Sequence, residues 1–172
     1  GVDDSCLFVR KESPFQKIED VVAEGKKRAV TTATRRIPHP ASIGALALGE
    51  ATKSKFNLVP YAGGNATIVA VLNGEADCGV LPMANPVSMQ DRIRILTVFA
   101  DENSLAKLSG NAPVVNKVFG TKIPELYSAR AWAIHAEAAQ KYPDRFEKLN
   151  KSAKEVFNDP TYRDWYVKTG AP

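Results

Sequence analysis

Residues Phe56–Val80, FNLVPYAGGNATIVAVLNGEADCGV, read as a strand, a glycine turn, a short helix, a glycine stop and a second strand. Val-Pro-Tyr ends the first strand, and Gly63-Gly64 permit a turn that a Cβ would obstruct. Asn65 is a favourable N-cap, and Ala66 to Asn73 carries Ile68, Val69, Val71 and Leu72 at helical spacing. Gly74 stands where a left-handed C-terminal cap belongs. A strand that turns directly into a helix aims unpaired backbone N–H groups, at the positive end of the helix dipole, beyond the strand's carboxyl end. Gly63, Gly64, Asn65, Ala66 and Thr67 are therefore candidates to seat a carboxylate or phosphate, although turns of this kind also occur with no ligand role.

The pattern extends in both directions. Upstream, Ser5–Arg10 reads as a strand, and Ser13-Pro14-Phe15-Gln16 as a capping box opening a helix through Ile18, Val21 and Val22 that stops at Gly25. Arg28–Ala33 is the next strand, and a loop, Thr34 to Pro40, leads into a helix over about 41–53. Downstream, the sequence predicts a short helix within 84–90, a strand Ile93–Phe99, a loop-rich stretch over 101–124 and a strand Arg130–Ile134. Two helices close the chain. The first, 143–157, begins at Pro143 and carries Phe146, Leu149, Ala153, Val156 and Phe157 on one side. The second begins at Asp159-Pro160 and stops at Gly170. Strands alternating with helices at this spacing predict an α/β fold, a mostly parallel sheet with helices on both faces. Ligands of such sheets bind outside the carboxyl ends of the strands, where Thr31–Ser42 and Tyr61–Thr67 fall.

The chain's 172 residues and 44% hydrophobic content support a core, and no apolar run is long enough to span a membrane. Gly1–Asp4 opens directly into a strand-like segment, as in a mature exported protein, a cytosolic one or a trimmed piece. The net charge is +4, but Lys26-Lys27-Arg28 and Arg35-Arg36 are dispersed and not interleaved with aromatics. That distribution argues against nucleic acid as a partner and suits small anions. Cys6 and Cys78 read as two buried thiols, with a disulfide as the less favoured alternative because their spacing fixes no geometry. With no CxxC and two histidines, a structural zinc site is not indicated, and no cofactor is implied.

Thr31, Thr32 and Thr34 suit a pleated strand, and their hydroxyls would also serve as donors to a carboxylate. Arg35 and Arg36 read as a solvated pair or as one guanidinium that clasps a ligand carboxylate. His39 reads as a rigid loop residue and His135 as a strand end, neither with a triad partner. Asp77 reads as a turn cap, and Trp132, Trp165 and Tyr166 as packing. No nucleophile–base pair, paired carboxylates at a strand end or metal set appears, so the sequence does not point to an enzyme.

Taken together, "SPFQKIEDVVAEGKK", the threonine-rich strand end, "NLVPYAGGNATIVAVLNGEAD", "DRIRILTVFAD" and the terminal "FEKLNKSAKEVFNDPTYRDWYVKTGAP" resemble the extracytoplasmic solute receptors of tripartite tricarboxylate transporters, the Bug family. The resemblance lies in order and spacing over most of the chain. It implies a lobe of the type II periplasmic binding-protein fold, a small organic carboxylate held by backbone N–H groups, periplasmic location, membrane transporter subunits as partners and no catalysis. It also implies that 1–128 forms the second lobe and that 129–172 returns to the first, whose glycine-rich N-terminal portion has no counterpart here. Ala62 stands where the family often has a basic residue, and Arg35-Arg36-Ile37-Pro38-His39-Pro40 replaces a small Gly/Ser-rich loop. A ligand-sensing regulatory domain or an enzyme on the same fold are the alternatives. Without the first lobe, the stripe Phe146, Leu149, Val156 and Phe157 is expected to drive self-association through the C-terminal helices.

Overall fold

The computed structural model describes residues 2–169. Strands β1 (Val2–Arg10), β2 (Val30–Thr34), β3 (Phe56–Pro60), β4 (Cys78–Pro82) and β5 (Ile93–Val98) form a sheet in the order β3-β2-β4-β1-β5, and β6 (Tyr127–Ala129) pairs with the start of β1. β2 is parallel to β3 and to β4, whereas β1 runs antiparallel to β4, β5 and β6. Four of the five main strands thus point one way, and the expected mostly parallel α/β sheet is present with one reversed strand inside it.

Helices cover both faces, as expected. β1 shows how the pleat divides the core: Cys6 and Phe8 face a cluster with Ile68, Val71, Leu81 and Met83, while Leu7 and Val9 face one with Val21, Leu48 and Phe99. The first cluster lies under α3 (Gly64–Leu72) and α4 (Ala84–Val87), the second under α1 (Ile18–Lys27), α2 (Pro40–Thr52) and α5 (Val115–Phe119). Cys6 and Cys78 therefore lie in different clusters on opposite faces and are both free thiols. Burial pushes the Cys6 thiol's pKa up, and that of Cys78 to about 12, so both stay protonated.

Several local expectations are corrected. The first helix begins at Ile18, not at Pro14. Asp20 closes its N-terminus by accepting from the N–H groups of Gln16 (2.8 Å) and Lys17 (3.0 Å), and Ser13-Gln16 forms the preceding turn. The helix also passes through Gly25, where a Cβ would come within 2.8 Å of Ser54 Cβ, so this glycine permits close packing instead of ending the helix. The predicted strand Arg130–Ile134 is instead β6, three residues earlier, because the pairing edge it meets on β1 is only Val2–Asp4. After it come α6 (Ala136–Lys141), which the sequence did not predict, α7 (Pro143–Asn158) and α8 (Pro160–Thr169). Asp159 caps α8 as expected, accepting from Thr161 N–H (2.8 Å) and Tyr162 N–H (3.1 Å). The predicted stop at Gly170 and the packing of Tyr166 lie outside the described residues.

α6 and α7 bury no residue. The stripe of α7 stays open, with Leu149 60% and Phe157 48% exposed, and Trp132 beside it is 79% exposed. Phe157 makes ring contacts with Trp132 and Tyr162.

Candidate functional site: the carboxyl edge of the sheet

At the carboxyl ends of β2, β3 and β4 the chain turns into α2, α3 and α4. The turn after β3 is set by Gly63, whose φ of +97° is strained for any residue with a side chain. Gly63, not Asn65, is the N-cap of α3, because the helix starts two residues earlier than its apolar spacing indicates. Thr67 fixes the turn: its hydroxyl and N–H both donate to Gly63 O, at 2.9 and 3.2 Å. At the far end, Gly74 adopts φ +79°, Gly74 N–H donates to Val71 O (3.1 Å) and Glu75 N–H to Ala70 O (2.9 Å), a complete Schellman closure.

The N-terminal amides of α3 divide into two groups. Gly63 N–H donates to Tyr61 O at 2.8 Å and is spent within the turn. The N–H groups of Gly64, Asn65 and Ala66 have no acceptor among the described residues. They are the orphan donors of the first turn, at the positive end of the helix dipole. Asn85, at the start of α4, lies against them: a Cβ on Gly64 would come within 2.5 Å of Asn85 Nδ2. Asn85 escaped the sequence reading, and its signal was position alone, just past the end of β4.

The three threonines separate. Thr34 reaches the edge, but it is fully buried and its hydroxyl lies 2.6 Å from Ser42 Oγ. Ser42 gives its hydrogen to Arg36 O (2.9 Å), so Thr34 is the donor in that pair, and together they pin the loop Arg35–Pro40 to β2. Thr32 is buried within the sheet, donating to Val30 O (3.1 Å) and lying 3.3 Å from Cys78 Sγ. Thr31 lies toward the opposite end of β2, where its N–H donates to Asp77 Oδ2 at 2.8 Å. Thr31 and Thr32 therefore do not join the edge, because a strand carries its residues 3.3 Å apart and only its last one overhangs. Asp77 has a structural place: it holds Arg28 through two hydrogen bonds of 2.7 and 2.9 Å, and the guanidinium lowers its pKa.

Arg35 is half-buried and Arg36 exposed, and among the described residues no carboxylate pairs with either. His39 is 3% exposed and caps α2, its Nδ1 accepting from Ala41 N–H at 3.2 Å. Nδ1 thus carries no proton, and Nε2 faces Ser128 Oγ on β6 at 3.4 Å. Burial and then the adjacent Arg35 and Arg36 lower its pKa to about 4. Asp3 is also buried at this edge, with Oδ1 accepting from Ala84 N–H (3.0 Å) and Oδ2 3.7 Å from the Arg130 guanidinium. Burial raises its pKa, opposed by the Ala84 hydrogen bond and by Arg130. The edge therefore offers three free amide hydrogens and two uncommitted guanidinium side chains, an environment suited to an anion. Among the described residues no group of His, Cys, Asp and Glu side chains could hold a metal ion.

No protein-family model and no curated protein sequence matches the chain. Solved structures do. The TctC solute-binding protein from Polaromonas is similar over 98% of this chain and 57% of its own, at 17% identity and a TM-score of 0.69. The chain has the fold of these periplasmic solute-binding proteins. An R. palustris protein solved with adipate (14% identity, TM-score 0.77) and MatC from Rhodopseudomonas palustris with bound malate (16%, 0.70) are each similar over 98% of this chain, and over 56% and 57% of theirs. The chain thus spans little more than half the length of the solved proteins it matches. The Polaromonas protein is a solute-binding protein, and the other two were solved with dicarboxylates. Among the described residues no helix is long and apolar enough to cross a membrane.

Proposed function

We propose that this chain is the carboxylate-gripping part of a periplasmic solute receptor of the tripartite tricarboxylate type, binding a small organic acid without changing it. The observation that carries the reading is the free N–H triplet of Gly64, Asn65 and Ala66, on the carboxyl edge of a fold shared with proteins solved with adipate and malate. A carboxylate seated there accepts from amides that are already aligned, with Asn85 beside them and Arg35 as a candidate for a second acid group. Gly63 shapes this seat and Thr67 braces it. Thr34 holds the neighbouring loop in place. In the same reading, 1–128 is the α/β lobe and 129–172 the segment that returns to a second lobe, and the loaded receptor delivers its acid to membrane transporter subunits.

Calorimetric titration of adipate, malate and citrate tests the seat. A lobe that supplies one wall of a cleft binds weakly, so affinities in the millimolar range are expected; micromolar affinity contradicts the one-wall reading, and no binding at all contradicts the seat. Asn65→Asp separates binding from folding. A carboxylate in the first turn stabilises a helix by about 0.3–1 kcal/mol but repels a bound acid. Retained or raised thermal stability with about tenfold weaker titration is the expected pair of results. Unchanged affinity places the acid elsewhere.

A further inference from the structure

Along the outer side of β5 lies a groove of about 480 Å³ that shares none of the residues of the carboxylate seat. β5 is the last strand on this side of the sheet. Its ladder with β1 alternates: Lys11 N–H donates to Arg92 O at 2.9 Å, Val9 faces Arg94 and Phe8 faces Ile95. By that alternation Ile95 occupies a position not bonded to β1, beside the bulge where the register shifts between Leu7 and Phe8, and it lines the groove. The edge closes only at Val98, whose N–H donates to Pro113 O at 3.0 Å and which bridges Val114 in parallel register. Residues 112–114 thus begin to pair with this edge and then leave it. Ile93 N–H is taken by Met89 O at 3.1 Å, and Ile93 to Leu96, ~13 Å of strand, have no strand partner on that side among the described residues.

The charged residues that line this opening have one sign. Lys11, Lys17 and Arg94 line it with the neutral amides of Gln16, Gln90 and Asn111, and no carboxylate is among its described lining residues. The Arg94 guanidinium is fixed at the wall by Lys11 O (3.2 Å) and Phe15 O (3.3 Å), and Asp20, in the adjoining turn, is committed to the N–H groups of Gln16 and Lys17. Open edges invite pairing with another chain. A second copy of this edge would set three cations against three, which disfavours self-pairing. We propose that the β5 edge takes up an extended acidic peptide segment by strand addition, with the backbone of Ile95 supplying the ladder and Lys11, Lys17 and Arg94 receiving its carboxylates.

Fluorescence anisotropy with a labelled peptide of alternating glutamate and valine, six residues long, tests this on the whole chain. The acidic peptide is expected to bind, its lysine-valine counterpart not to, and methylation of alternate backbone nitrogens to abolish binding in one of the two registers. The double variant Lys11→Glu with Lys17→Glu, both exposed side chains, is expected to weaken binding about tenfold with an unchanged circular dichroism spectrum. Hydrogen exchange at the Ile95 amide is expected to slow when peptide is present. Equal binding of both methylated peptides, equal binding of the lysine-valine peptide, an unprotected Ile95 amide, or no binding at millimolar peptide overturns the proposal. Displacement of the peptide by millimolar inorganic phosphate, with both methylated forms still bound, reassigns the groove to small anions.

Discussion

His39 shows how much one side chain at this edge controls. Its Nδ1 caps α2 only while unprotonated, and Arg35 and Arg36 stand beside it. The folded pKa of about 4 lies below the ordinary 6.5, so the unfolded chain binds the proton more tightly. The contribution of His39 is therefore complete above pH 6.5 and is lost as pH falls toward about 4. Thermal melts are expected to drop across that window, and His39→Asn, which keeps a capping acceptor but cannot titrate, is expected to flatten the profile. Asp3 works in the opposite sense, since burial raises its pKa and acid relieves that cost. The difference between wild type and variant isolates the histidine. A variant profile parallel to wild type refutes the assignment. From the sequence, His39 was legible only as a residue between two prolines, because the Ser128 hydroxyl that it meets on β6 lies 89 residues further along the chain.

Elements were more legible than their contacts. Periodicity and punctuation located the alternation of strands and helices, the Gly74 closure and the Asp159 cap, because these are local and a few residues decide them. The misplacements arose where packing decides. Gly25 looked like a stop, yet it lies inside α1 because Ser54 presses against it. Asn65 looked like a cap, yet α3 reaches back to Gly64, where Asn85 leaves no room for a side chain. The threonines looked equivalent, but one strand cannot bring Thr31, Thr32 and Thr34 to the same end. Helix-to-sheet packing supplies a further test in α2: a Cβ on Gly44 would meet the buried Phe99 ring at 2.9 Å. Gly44→Ala exchanges a small gain in helix propensity for overpacking, and urea unfolding is expected to show a net loss of about 1–2 kcal/mol. A stabilised variant contradicts that contact.

At the scale of the whole molecule, the chain combines a well-packed sheet with three C-terminal helices, none of whose described residues joins its core clusters. Removing everything after Ala133 is expected to leave the unfolding midpoint of the sheet nearly unchanged, because Asp3, Arg130 and β6 are retained. A large fall in the midpoint contradicts the separation. The open stripe of α7 makes a second prediction. Light scattering is expected to show a mass that rises with concentration, and Leu149→Lys with Phe157→Lys is expected to return it to that of a monomer. A monomer at all concentrations sinks self-association. The reversed strand has a consequence in time as well as in space. β1 precedes its partners β4, β5 and β6 in the sequence, with Ser5 opposite Pro82 and Val2 opposite Ala129. A ribosome releases β1 long before any of them exists, whereas β2, β3 and β4 can assemble as they emerge. The ladders of β1 with β4 and β5 therefore close only after the chain as far as Pro82 and then Val98 has emerged, which makes this long-range pairing a natural slow step of folding.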